Sequence, residues 1–216
     1  MRRGNYSGTI FSIDVDNKQY IISAHHLFNN VIDNAKVQIF HNSKWKDLNL
    51  RLVNHCPDPI DISVLAADIQ LTSSEFICEP TSGGAFLGQD LFFLGFPFGE
   101  YGEGGKFNRD FPLPFIKKAT LSCIQFDNNA EILFLDGFNN PGFSGGPVVF
   151  THPNKIEYKV CSVISSYRVS KVPIYQGSIE LPIYHRENSG IIISYGIKHA
   201  VDVIKANPIG FQLSNG

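Results

Sequence analysis

Short runs of β-branched and aromatic residues recur from one end of the chain to the other, and Asn, Asp, Gly or Pro closes each within a few residues. G-T-I-F-S-I-D-V, Q-Y-I-I-S-A, K-V-Q-I-F and D-I-S-V-L-A follow one another in the first third. That spacing and punctuation predict an all-β barrel or sandwich. D-V-D-N-K-Q-Y reads as a hairpin turn, with Asn17 suited to a positive φ. A-H-H-L-F reads as one helical turn after a strand. The tail K-H-A-V-D-V-I-K-A is the one convincing helix: it is apolar at helical spacing and stops before Asn207-Pro208.

A chain of 216 residues with 43% apolar content and 18 Phe can bury a sizeable core, in one domain or in two small barrels. The polar, turn-rich stretch from Thr72 to Phe86 reads as a link. The expected division is therefore residues 1–78 and 79–216. The second part opens with D-L-F-F-L-G-F-P and ends its strands with Y-K-V-C-S-V-I-S-S-Y and G-I-I-I-S-Y-G-I. Between Gly99 and Pro114 the glycines and charges suggest a long mobile loop.

Eighteen basic against twenty acidic residues leave no basic field for nucleic acid. No apolar run follows M-R-R-G-N-Y-S-G, and none elsewhere approaches transmembrane length, so no membrane partner is expected and the cytoplasm is the expected location. Cys56, Cys78, Cys123 and Cys161 lack zinc-site spacing; they read as buried, reduced thiols on strands, one disulfide remaining open for an exported protein. Neither metal nor cofactor is implied.

The stretch D-G-F-N-N-P-G-F-S-G-G-P-V-V-F, from Asp136 to Phe150, places Ser144 among glycines, where backbone approaches another molecule closely. A serine hydroxyl needs a base to become a nucleophile. Upstream, I-S-A-H-H-L-F carries His26 and D-I-S-V-L carries Asp61. The three motifs in this order resemble the chymotrypsin-like serine proteases, most of all the bacterial branch with N-P-G-x-S-G-G-P that includes the HtrA and glutamyl endopeptidase types. The resemblance spans nearly the whole chain.

It implies two six-stranded antiparallel β-barrels with a short C-terminal helix, and a catalytic Ser144, His26 and Asp61 at their cleft acting on a protein or peptide. Ser23-Ala24-His25-His26 matches the family's T-A-x-H with His26 as base; His25 would put Ile22 at the hydroxyl position. The N–H groups of Gly142 and Ser144 form the expected oxyanion hole. Ser165 matches the serine that supports the aspartate. The pocket is expected at Phe138, Ser165, Ser166 and Tyr167, with a further wall from Ser194 to Gly196. Two departures stand out. Phe143 replaces the aspartate of the digestive enzymes, so an apolar anchor must hold the loop. Phe138 stands where trypsin-like enzymes carry an aspartate, so cleavage after Lys or Arg is not expected.

Two other readings compete. G-F-S-G-G also fits the nucleophile elbow of α/β-hydrolases, but that elbow needs a helix after the serine, and Gly146 to Phe150 reads as a strand. Its acid and histidine also follow the serine, and the histidines after Ser144 — His152, His185 and His199 — lie in no telling context. The other reading is a protease-fold binding module without efficient catalysis, for which Phe143 is the one feature in favour.

Overall fold

Side chains that alternate between core and solvent set the strands. In the run from Asn34 to His41, Ala35 and Val37 are buried while Lys36 and Gln38 face water. The computed structural model describes every residue except 82, 153, 154, 215 and 216, so residue 82 of the expected link lies outside the described residues.

Seven strands come first: β1 (Arg2–Arg3), β2 (Tyr6–Ser7), β3 (Phe11–Val15), β4 (Lys18–Ser23), β5 (Asn34–His41), β6 (Lys44–His55) and β7 (Ser63–Ala67). They form one sheet with β15 (Phe211–Gln212), in the order β15-β4-β7-β6-β5-β1-β2, and β3 pairs with β4. The second sheet holds β8 (Glu79–Pro80), β9 (Asp90–Gly95), β10 (Phe115–Asp127), β11 (Ala130–Asp136), β12 (Pro147–Thr151), β13 (Tyr158–Gln176) and β14 (Ile179–Gly196). Its order is β12-β9-β10-β11-β14-β13-β8, and the further pairing of β12 with β13 closes six strands into a barrel. Helix α1 (Lys198–Ala206) packs on β6 and β7, so the chain ends against the sheet it began.

Among the described residues, three apolar clusters form the core. Phe28, Leu50 and Leu65 fill the first sheet's interior, and Phe93, Leu135 and Phe150 fill the second barrel. A third joins the sheets, where Ile13, Tyr20 and Ile22 meet Val149, Val160 and Val163. Fully burying one such aliphatic or aromatic side chain contributes about 1.5–3 kcal/mol.

The β3–β4 turn has Asp16 and Asn17 at φ of 50° and 59°, the left-handed geometry of a tight hairpin. Residues 99–114, expected as a loop, carry some regular structure. They contain a 3-10 turn at Gly105–Asn108 and a bridge between Gly102 and Leu113. The larger surprise is an arm: β13 and β14 stay paired out to Gln176 and Ile179, far past Tyr167, with most of their side chains exposed.

All four cysteines are free. Only Cys123 and Cys161 lie on strands, and Cys123 is exposed. Burial pushes the Cys56 and Cys161 thiols up to about 12. Among the described residues no helix is long and apolar enough to cross a membrane.

Candidate active site

Strand β4 ends at Ser23, and a 3-10 turn at His25–Leu27 carries the next residues away from the sheet. Its neighbour β7 pairs Ser63 with Ser23, which brings Asp61, just before β7, against that turn. Asp61 Oδ1 accepts the His26 backbone N–H at 2.8 Å, and Oδ2 lies 2.7 Å from His26 Nδ1. His25 turns elsewhere, stacking on His55 at 4.1 Å between ring centroids.

Burial alone would raise the Asp61 carboxyl, but the hydrogen bond and charge of His26, with the Ser165 hydroxyl, override it and hold the group below the usual carboxylate range. An ionised Asp61 fixes the Nδ1–H tautomer and leaves His26 Nε2 free to take a proton. A carboxylate whose folded pKa is lowered stabilises the fold above its unfolded pKa, near 3.9, and the gain disappears as pH falls through the folded value. Denaturant titrations between about pH 6 and 2 should therefore show a shallower acid loss of stability for Asp61→Asn than for the parent.

Ser144 sits in a turn that two glycines permit. Gly142 has φ +106°, and a Cβ there would collide with the Phe96 carbonyl oxygen. Gly145 has φ +82°, and its Cβ would strike the Thr9 carbonyl. The Pro141 carbonyl accepts the Phe98 N–H at 2.8 Å. The C=O and N–H of a trans peptide point opposite ways, so the Gly142 N–H faces away from Phe98. Neither that N–H nor the one of Ser144 finds a protein acceptor among the described residues. Phe143 is fully buried, edge-on to Phe93 at 4.9 Å, and supplies the apolar anchor the loop needs.

The Ser144 hydroxyl donates to the Ser165 carbonyl at 3.0 Å and makes no hydrogen bond to His26. Ser165 thus contacts both partners, since its own hydroxyl donates to Asp61 Oδ2 at 2.6 Å.

Thr9 is a contact the sequence did not announce. Its N–H donates to the Ser144 carbonyl at 2.9 Å, its hydroxyl donates to the Gly142 carbonyl at 2.8 Å, and its carbonyl accepts the Ser23 hydroxyl at 2.9 Å. The segment before β3 therefore clamps the loop from behind. Thr9→Val leaves the Gly142 carbonyl without its donor, a loss of about 1–3 kcal/mol in loop order. Peptide turnover, if it runs through this loop, should fall roughly tenfold or more in kcat with little change in KM. Thr9→Ser should restore it.

The expected pocket residues are partly assembled. Phe138 is 54% exposed, and Lys117 Nζ lies 5.3 Å above its ring. Lys117 also donates to the Phe138 carbonyl and, at 3.0 Å, to Asn140 Oδ1, and it has no carboxylate partner among the described residues. Burial pulls its pKa down. Ser166 is exposed, and its carbonyl accepts the side chain of Asn139 at 3.4 Å. Tyr167 is half-buried. Ser194 does not serve as a wall. It points into the barrel, accepting the Ser162 hydroxyl and donating to the Leu133 carbonyl, because period two places it on the inner face.

A strand, β12, follows the serine turn, which removes the α/β-hydrolase elbow. His199 is buried on α1, its Nε2 accepting the Glu131 N–H, and His185 lies on the exposed arm. Among the described residues no cluster of His, Cys, Asp and Glu could hold a metal ion.

No family model matches this chain, and no curated protein matches it. Solved structures do. The active form of Rv3671c protease from M. tuberculosis aligns with a TM-score of 0.60 and 15% identity over 96% of this chain and 76% of that one. The inactive form of a Ser-to-Ala mutant of Rv3671c from M. tuberculosis H37Rv gives 0.58 and 13%, over 96% and 84%. The inactive form of Rv3671c protease gives 0.55 and 15%, over 93% and 83%. At such identities the likeness is one of fold, and the fold of this chain is that of the chymotrypsin-like proteases.

Proposed function

We propose that the chain is a serine endopeptidase. The observation that carries this reading is the bridge through Ser165, which bonds the carboxylate of Asp61 by its hydroxyl and the Ser144 hydroxyl by its carbonyl. Ser144 turns from that carbonyl to His26, Nε2 takes its proton, and Oγ attacks the substrate carbonyl carbon. The negative oxygen that forms is met by the Gly142 and Ser144 N–H groups. Asp61 stabilises the imidazolium, which then protonates the leaving amine and yields an acyl-enzyme. Water, deprotonated by His26, attacks the ester, and Ser144 is regenerated. The N-P-G-F-S-G-G-P run supports placing the enzyme in the bacterial HtrA and glutamyl endopeptidase branch. Incubation with an unstructured protein substrate tests the reading: fragments should appear with the parent and not with Ser144→Ala.

A binding module in a protease fold is favoured by one observation, the resting bond of Ser144 to Ser165 rather than to His26. It predicts only weak or conditional release of fragments by the parent protein.

Specificity follows from the residue before the scissile bond meeting Phe138. A Lys or Arg side chain entering there loses water and finds an aromatic ring and the Lys117 ammonium instead of a carboxylate. A peptide library varied at that position should show apolar residues preferred over Lys and Arg by about 10²-fold. Dominant cleavage after Arg or Lys would remove Phe138 and Lys117 from the pocket.

A further inference from the structure

A half-enclosed cavity of about 1090 Å³ lies between the two sheets. Ser144, His26 and Asp61 take no part in its lining. Its volume lies just above the range of small-molecule sites, about 300–1,000 Å³. The inner walls are apolar, with Phe11, Ile21 and Leu71 on one side and Phe92, Leu94 and Val149 on the other. Ser7, Gly8 and Ile10, which flank Thr9, also line it.

The charged side chains of its lining are all cationic. Arg2, Lys106 and Arg109 line the cavity and no Asp or Glu does. Aromatic contacts link the segments that carry them. The Arg2 guanidinium lies 4.0 Å from the Trp45 ring centre, Trp45 packs edge-on to Phe40, and Phe40 contacts Tyr101 at the start of the segment that carries Lys106 and Arg109. Arg109 is ion-paired to Glu75, whereas Lys106 has no ion pair among the described residues.

We propose that this cavity binds a long-chain carboxylate, its hydrocarbon between the sheets and its carboxylate at Lys106 and Arg2. An apolar peptide segment fits less well, because its regularly spaced amides would outnumber the few polar side chains of the lining, Ser7, Ser12, Thr72, Ser73 and Asn108. A neutral lipid would leave the cations unused. A saturated carboxylate satisfies both ends of the cavity.

Trp45 is the single tryptophan of the chain and lines the cavity, so its emission reports occupancy. Decanoate, dodecanoate and tetradecanoate are titrated below their micelle concentrations, with 1-dodecanol as the uncharged comparison. The readout needs no turnover, and Ser144→Ala protein serves equally, so the result is independent of the peptidase reading. The expected result is a saturable change in Trp45 emission, with Kd falling roughly fourfold for each added methylene. Lys106 is exposed in the 3-10 turn, so Lys106→Gln should fold normally, weaken dodecanoate about five- to tenfold and leave dodecanol unchanged. No saturable change in emission together with no heat of binding in calorimetry overturns the proposal. So does a dodecanoate affinity that matches dodecanol and ignores Lys106→Gln.

Discussion

Ser144→Ala protein should fold as the parent does and hydrolyse peptides at least about 10⁴-fold more slowly. The fold should survive because the hydroxyl contributes one hydrogen bond, to the Ser165 carbonyl, while the turn itself rests on other contacts. Those contacts are the buried Phe143 ring, the Thr9 clamp and the bonds joining Gly145 and Gly146 to Ile164. Activity should fail because no other group can form the ester. His26→Ala should be almost as damaging, and the double variant little worse than either, since base and nucleophile act as a unit. His25→Ala should leave kcat within a few-fold, because that ring stacks on His55 and does not contact Asp61. Circular dichroism and steady-state kinetics on the four proteins check all of this. A His25 effect larger than the His26 effect would reassign the base.

Gly142→Ala should cost about 10²–10³-fold in kcat, the usual loss when one oxyanion donor is misplaced. Two causes combine. A φ of +106° is strained for any residue with a side chain, and a Cβ would meet the Phe96 carbonyl, which is backbone and cannot step aside cheaply. The loop must then rotate, and the bond from Phe98 N–H to the Pro141 carbonyl, which orients the peptide bearing the Gly142 N–H, is the first to break. Substrate binding away from the hole is untouched, so KM should change little. A Gly142→Ala enzyme with the parent's kcat would mean that this N–H does not face the reacting oxygen.

The two-sheet fold was legible because its strands carry their signals locally: apolar runs of the right length, Asp16-Asn17 at a tight turn, and a helix ended by proline. His26, Asp61 and Ser144 stood out as candidates for the same reason, each sitting inside its own short motif. The arm was not legible. Pro173 and Pro182 argue against a ladder, yet a two-stranded ribbon leaves both outer edges unpaired, where a missing N–H costs nothing. The expected wall at Ser194 failed on the pleat: alternation turns that residue into the barrel. Thr9 and Lys117 acquire their positions from partners across the fold. Thr9 reaches Gly142, 133 residues away, and no local pattern in G-T-I-F announces that bond.

Reaction with a fluorophosphonate, followed by mapping of the modified residue by mass spectrometry, is the most direct measurement of whether Ser144 is an activated nucleophile. The proposed peptidase acquires one adduct per chain, on Ser144, and His26→Ala protein acquires it at least about 10³-fold more slowly. An unmodified Ser144 after prolonged exposure, or a labelling rate indifferent to His26, would contradict the account.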